Sequence, residues 1–383
     1  MERSRPRPPA EKPSARLLRV GVEVSIVIAL AVLLVQFIRN NPNASVGRMR
    51  FSDFNINSVM DRVTVTVNTI SSPPSGQHYQ GWLRNTADGT VRDIGTVRIN
   101  ALGSGEIVFT DPDQQNLLGS FDEVVVSIEP DSSTEAQPTG EIVYSSKFPP
   151  LVLAQTREML VSNPNTPDEL APMQGLYYYS GSYINGVISG DPLTPEFVGL
   201  VKAYLNGNET TVRARTEELI NLIVGDQSEQ YKDYNRDGKI DDYDADGYGS
   251  LPTGSWCKNS LQLTRKHSKS AAGLHELEAF NFGRQRRKII LIMHVQNMEG
   301  WTNQLLPLAL ELNEKPFGPQ MESVIAEIAV LGDRLLSGVD LNGNDLVEPT
   351  VGECGADKAY EYGWYMADMP LYIGADKFPP PGR

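Results

Sequence analysis

Cysteine is nearly absent: Cys257 and Cys354 are the two in 383 residues. Two thiols exclude a disulfide scaffold, a four-cysteine zinc site and an iron–sulfur cluster, and leave room for one disulfide in an oxidising compartment. Histidine is scarce, with four residues. The chain has no G-x-S-x-G, H-E-x-x-H, Walker A or G-x-G-x-x-G string. It therefore lacks the local signatures of α/β hydrolases, zincins, P-loop enzymes and dinucleotide-binding folds. No catalytic constellation emerges, and the expected class is non-enzymatic. Positive charge is also short, 34 Lys and Arg against 48 Asp and Glu, for a net charge of -14. That acidity argues against a nucleic-acid partner, because phosphate attraction supplies most of such affinity, and it suits cations.

The one long hydrophobic run lies near the N-terminus. Residues 20–38, between Arg19 and Arg39, hold three notably polar residues, Glu23, Ser25 and Gln36. As a helix they would span about 28 Å, close to the hydrocarbon thickness of a bilayer. Arg3, Arg5, Arg7, Lys12, Arg16 and Arg19 precede the run against Glu2 and Glu11. The positive-inside rule places that end in the cytoplasm and the body outside. The expectation is a single-pass signal anchor in the cell membrane, with an extracytoplasmic C-terminal body. Residues 1–19 would be a basic cytoplasmic tail and 39–52 a linker.

From 53 to 148 the chain reads as short strands. Val63–Val67 alternates apolar and hydroxyl residues, the period of a half-buried strand. Further strand signals cover 78–83, 96–99, 106–109, 124–128 and 141–144, with Gly103-Ser104-Gly105 as a hairpin turn. Six strands in this length point to an antiparallel sandwich with Trp82 in its core. Four stretches carry a family likeness: Tyr79-Gln80-Gly81-Trp82-Leu83, Gly95-Thr96, Asp122 to Pro130 and Pro138 to Val143. With them the segment resembles the extracytoplasmic C-terminal domain of anti-sigma-K factors. The resemblance implies a membrane-tethered outer domain whose relatives hold a sigma factor through a cytoplasmic N-terminal domain. The basic tail is short for that task, so a sigma factor is not the expected partner.

Phe148-Pro149-Pro150 marks a boundary, and 149–375 reads as helical, with 376–383 as a tail. Apolar spacing predicts helices over 209–225, 286–312 and 320–337, with Pro307 kinking or breaking the second and Gly338 stopping the third. Tyr177, Tyr178, Tyr179 and Ile184 are expected in the core.

Two acidic loops follow helices. The first fits the twelve-residue calcium scheme. Asp233, Asn235 and Asp237 supply side-chain oxygens at positions 1, 3 and 5, and Gly238 permits the turn at position 6. Lys239 offers a carbonyl, Ile240 anchors the loop in the core, Asp241 reaches the ion through water and Asp244 takes position 12. The second loop has Asp340, Asn342 and Asn344 at positions 1, 3 and 5, Asp345 at position 6, the Leu346 carbonyl at position 7 and Glu348 at position 9. Val351 at its position 12 cannot ligate, and Glu353 could substitute. The loops resemble EF-hand and dockerin loops, and the implied cofactor is Ca2+. A second metal candidate joins His267, His275 and Glu278.

The expected fold class is multidomain: one transmembrane helix, an all-β sandwich, then a mainly α-helical domain with EF-hand-like loops. The expected function is that of a membrane-anchored extracytoplasmic calcium-binding protein that senses, binds or scaffolds, its partner an unidentified extracytoplasmic protein or envelope ligand. The alternatives are an anti-sigma-factor-like transmembrane regulator of transcription and an envelope metal-dependent hydrolase.

Overall fold

A computed structural model describes residues 45–55, 57, 59–162, 170–190, 194, 196–226, 228–243, 282–348 and 350–378. The first half is strands: β1 (Ser45–Ser52), β2 (Arg62–Val67), β3 (Gln77–Arg84), β4 (Val91–Val97), β5 (Gly105–Thr110), a helical turn α1 (Leu117–Ser120), β6 (Glu123–Pro130) and β7 (Glu141–Lys147). The second half is helical: α2 (Pro150–Leu160), α3 (Pro172–Tyr177), a π-turn (Tyr178–Ser182), α4 (Tyr183–Ser189), α5 (Leu200–Leu205), α6 (Glu209–Val224), α7 (Phe282–Glu314), α8 (Glu322–Ser337) and α9 (Ala356–Trp364). A final strand, β8 (Met369–Ile373), follows.

All eight strands belong to one sheet, in the order β4-β3-β6-β7-β8-β1-β2-β5. Residues 63, 65 and 67 of β2 face the core, as alternation requires, and pair in register with β1 and β5. The sheet curls until its end strands β4 and β5 approach each other, making a nearly closed barrel. Arg92 at the start of β4 ties that seam, with Nη2 2.8 Å from buried Asp111 just after β5. Gly81 shows how tight the interior is. A Cβ added there would lie 2.5 Å from Cδ1 of Ile107 on β5, a strand that does not pair with β3.

The expected fold class is corrected on two points. The β elements form one curled sheet, not two stacked ones. Alternation shows that one face is buried but not what covers it. Second, the sheet and the helices are not separate domains. Val46–Arg383 forms one compact unit, and a single apolar core runs from Val63 and Leu83 in the sheet to Ile220, Leu305 and Ile328 in the helices. Among the described residues no helix is long and apolar enough to cross a membrane. The expected span 20–38 lies outside them.

The junction is built by β8 and what precedes it. Tyr144 and Ser145 of β7 pair with Ile373 and Tyr372, and Gly374 N donates to the Val143 carbonyl at 2.7 Å. On the other flank, buried Asp368 lies 3.7 Å from Arg48 and 3.4 Å from Arg50 of β1, and the Arg50 guanidinium stacks over Tyr365. Tyr360 of α9 donates to buried Asp53 at 2.7 Å.

The helices follow their sequence patterns. Val324, Ile325, Ile328, Leu331 and Leu335 of α8 are buried, and Gly338 ends the helix at φ 85°. On α7, Met298, Trp301, Leu305, Ala309 and Leu312 form the buried stripe. Pro307 lies inside α7 and does not break it, one of the two effects expected of it. It sits on the exposed side, as does Asn303, whose carbonyl is the one that a proline four residues on cannot bond.

Met369 and Leu371 are fully buried. Leu371→Ala should destabilise the whole unit by about 2–5 kcal/mol in urea unfolding, with one cooperative transition. A loss under about 1 kcal/mol, or two separate transitions, would show that β8 is peripheral.

Candidate functional site

Two places concentrate polar chemistry: a hydrogen-bond network on the sheet and the pair of Asx-rich loops. The network begins at Trp82, which is buried against one sheet and not between two. Its Nε1 donates to Ser127 Oγ at 2.8 Å, and Ser127 Oγ donates to Glu129. The Glu129 carboxylate also accepts the Thr139 hydroxyl at 2.7 Å and the backbone N–H groups of Thr139 and Gly140 at 3.1 Å. Burial alone would raise this carboxyl. The hydrogen bonds from Ser127, Thr139 and Gly140 outweigh it and hold the group below its ordinary value. Gly140 is required sterically, since a Cβ there would lie 1.8 Å from the Ile128 carbonyl oxygen. Beside Trp82, Gln80 accepts from Thr96 Oγ1 at 2.9 Å and donates to Asp93. The stretches that suggested a family likeness therefore meet in space.

The first loop runs from Asp233. Asp233 accepts the N–H groups of Arg236 and Gly238, Asn235 accepts that of Asp237 at 2.8 Å, and Asp237 accepts that of Lys239 at 2.9 Å. Asp241 accepts from Asn235 Nδ2 at 3.3 Å. Asp244 lies outside the described residues. Ile240 does not anchor the loop in the core; it is 49% exposed. The anchors are Glu217 and Asn221, one turn apart on α6 and fully buried. Glu217 accepts the N–H groups of Tyr234, Asn235 and Asp241 at 2.8–2.9 Å. Asn221 accepts the Lys232 N–H and donates to the carbonyls of Lys232 and Asp241. Burial pushes the Glu217 carboxyl up, against the pull of those three N–H donors.

The second loop repeats the first position by position. Asp340 accepts from Gly343 and Asp345 at 2.7 Å, Asn342 from Asn344 at 3.1 Å, and Asn344 from the Leu346 N–H at 2.9 Å. Asn342 Nδ2 donates to Glu348 at 2.7 Å, as Asn235 does to Asp241. Positions 4 and 6 are left-handed in both: Arg236 at φ 65° and Gly238 at 90°, Gly343 at 72° and Asp345 at 64°. Buried Glu353 closes this loop by accepting the Glu348 N–H at 2.9 Å and Asn342 Nδ2 at 3.2 Å.

The oxygen donors of both loops are engaged within the loops themselves. Asp233, Asn235, Asp237, Asp340, Asn342 and Asn344 all spend oxygens on the loops' own N–H groups. Among the described residues, no three His, Cys, Asp or Glu side chains come together as a metal-holding group. His267, His275 and Glu278 lie outside the described residues, as does Cys257. Cys354 is buried, and burial pushes its thiol up to about 12. Asn297 fixes it from α7, with Nδ2 3.4 Å from the sulfur and Oδ1 accepting the Gly352 N–H at 2.7 Å.

Sequence reasoning missed Glu217, Asn221 and Asn297. The first two carried a signal: a Glu and an Asn at i, i+4 among the apolar residues of an amphipathic helix. Asn297 carried none.

Residues 27–142 match the family described as anti-sigma-K factor rskA, C-terminal. The match spans less than a third of the chain, begins upstream of β1 and ends within β7. It bears out the likeness read from the Trp82 and Glu129 stretches. No curated protein and no solved structure matches the chain.

Glu129 gives a pH test. A carboxyl depressed in the folded state stabilises above its unfolded value and loses that contribution as pH falls through the folded one. Glu129→Gln should cost about 1–3 kcal/mol at neutral pH, and the gap to the parent should close as pH drops below about 4. A gap that stays constant down to about pH 3 would show that the carboxylate charge is not what the network uses.

Proposed function

We propose that this chain is an anti-sigma-factor-like regulator, with the curled sheet as its anti-sigma-K-type domain. The observation that carries the reading is the family match over residues 27–142. It weighs against the expectation that a sigma factor is an improbable partner, because the domain's name implies one. The geometry supports the reading in a general way. The matched segment is stapled by the Trp82–Ser127–Glu129 network, and the later helices and β8 complete its sheet.

The test is co-expression of the full chain with each sigma factor of its source organism in turn, followed by purification and in vitro transcription. One sigma factor should co-elute, and transcription from its promoter should fall when the chain is added. If none co-elutes and none is inhibited, the regulator reading is wrong.

A second reading is favoured by the matching backbones of the two loops. Left-handed residues at positions 4 and 6, with Asx side chains at 1, 3 and 5, give the form of a calcium loop. Asp233, Asn235, Asp237, Asp241 and Asp244, with the Lys239 carbonyl, would hold a Ca2+ in the first. Asp340, Asn342, Asn344, Glu348, Glu353 and the Leu346 carbonyl would hold one in the second. Calcium at 100-fold above its Kd should then stabilise the protein by about 2.7 kcal/mol. Asp237→Ala should remove most of the gain. A melting temperature indifferent to millimolar calcium would dismiss this reading and leave the regulator reading intact.

A further inference from the structure

The second loop carries an apolar rim that the fold does not use. Leu341 is 61% exposed, Leu346 63% and Val351 71%. Three large aliphatic side chains stand in water within eleven residues. Isolated exposed aliphatics need no explanation, but a group on one loop marks a contact surface. Leu341 lies over the backbone beside Val351, for its Cδ1 would be 3.0 Å from a Cβ added at Gly352.

The rim is held stiffly. The backbone N–H groups of Gly343, Asp345, Leu346, Glu348 and Gly352 are each bonded to a side chain of Asp340, Asn344, Glu353 or Asn297. A partner meeting this loop would not have to order it, and that removes a main cost of binding.

Charge selects the partner. No Lys or Arg occurs between Arg334 and Lys358, whereas Asp340, Asp345, Glu348, Glu353 and Asp357 fall in that interval. Asp345 is exposed, and Asp340 and Glu348 are half-buried. An acidic rim around aliphatic groups is complementary to cationic residues interleaved with apolar ones. A second copy of this chain, at net charge -14, is repelled, and so is an anionic lipid surface.

We propose that the Asp340–Glu353 loop is a docking surface for a basic amphipathic segment of a partner protein. Leu341, Leu346 and Val351 supply the apolar contact, and Asp345 and Glu348 supply the electrostatic one. The surface does not depend on either functional reading above.

The experiment is a fluorescence-anisotropy titration of the full chain with a synthetic amphipathic lysine–leucine peptide, in buffer containing a chelator. Saturable binding is expected, weakening about tenfold or more in the combined Leu341→Ser, Leu346→Ser and Val351→Ser variant. Asp345→Asn with Glu348→Gln should weaken it too. Leu102→Ser, at an exposed leucine elsewhere, should leave it unchanged. The serine changes are at exposed positions, and an unaltered melting curve confirms the fold. Absence of binding, or equal binding by the triple variant, overturns the proposal. So does self-association of the parent, or its binding to phosphatidylglycerol vesicles, when the triple variant abolishes either. Those results would assign the rim to a second copy or to lipid.

Discussion

A strand from the far end of the chain fills the gap between β7 and β1, and the rest of the structure depends on that pairing. Without β8 the sheet would be two fragments, each with a long unpaired edge. With it, curvature carries the sheet round until Arg92 and Asp111 meet across the seam. Loop closure over more than 200 residues is costly in entropy, and two short register pairs with β7 cannot repay it alone. The remainder comes from around the strand. Met369 and Leu371 enter the common core, Asp368 is shared by Arg48 and Arg50, and Tyr360 seals Asp53. The helices between β7 and β8 thus position the last strand and cover the apolar face that β8 completes.

This arrangement accounts for the buried polar network in the segment that carries the family likeness. Trp82, Ser127 and Glu129 are buried but bonded to one another, so none carries the penalty of an unsatisfied buried group. The residues between Glu129 and Thr139 leave the sheet and must return in register for β7. Glu129 catches that return at two N–H groups and a hydroxyl, and Gly140 lets the chain pass against the Ile128 carbonyl. A carboxylate at the end of β6 therefore sets where β7 begins, and β7 in turn is the template for β8.

What the sequence made legible follows the reach of each signal. Period-2 alternation located β2, which buries one face, and the apolar runs located β3, β6 and β7, which bury consecutive residues and so both faces. The 3.6 period located α6 and α8 to within two residues. The edge strand β4 was placed several residues late, since Val91 to Asp93 is partly exposed and carries no alternation. β1 and β8 went unread for different reasons. β1 was read as a linker although Gly47, Met49 and Phe51 are buried on one face and Arg48 and Arg50 lie on the other, an alternation too short to stand out beside the long hydrophobic run. β8 is five residues long, buried over its first four, with a strand on either side, and nothing local tells such a strand from a stretch of buried coil. The loops were legible in composition and in backbone. Their anchors were not, because Glu217 precedes its loop by sixteen residues and contacts it only after α6 has formed.

The two loops reach one backbone by different means. In the first, the organising carboxylate comes from a preceding helix and is buried beneath the loop. In the second it comes from Glu353, downstream of the loop it closes. The shared element is the set of Asx side chains at positions 1, 3 and 5, each turning an oxygen back onto an N–H two to five residues ahead. Those bonds suffice to hold left-handed geometry at Arg236 and Asp345, where no glycine relieves the strain. The loops are therefore ordered by their own side chains. What that order achieves differs between them: the first wraps tightly onto α6, while the second projects three aliphatic side chains into solvent on a frame that cannot fold them away.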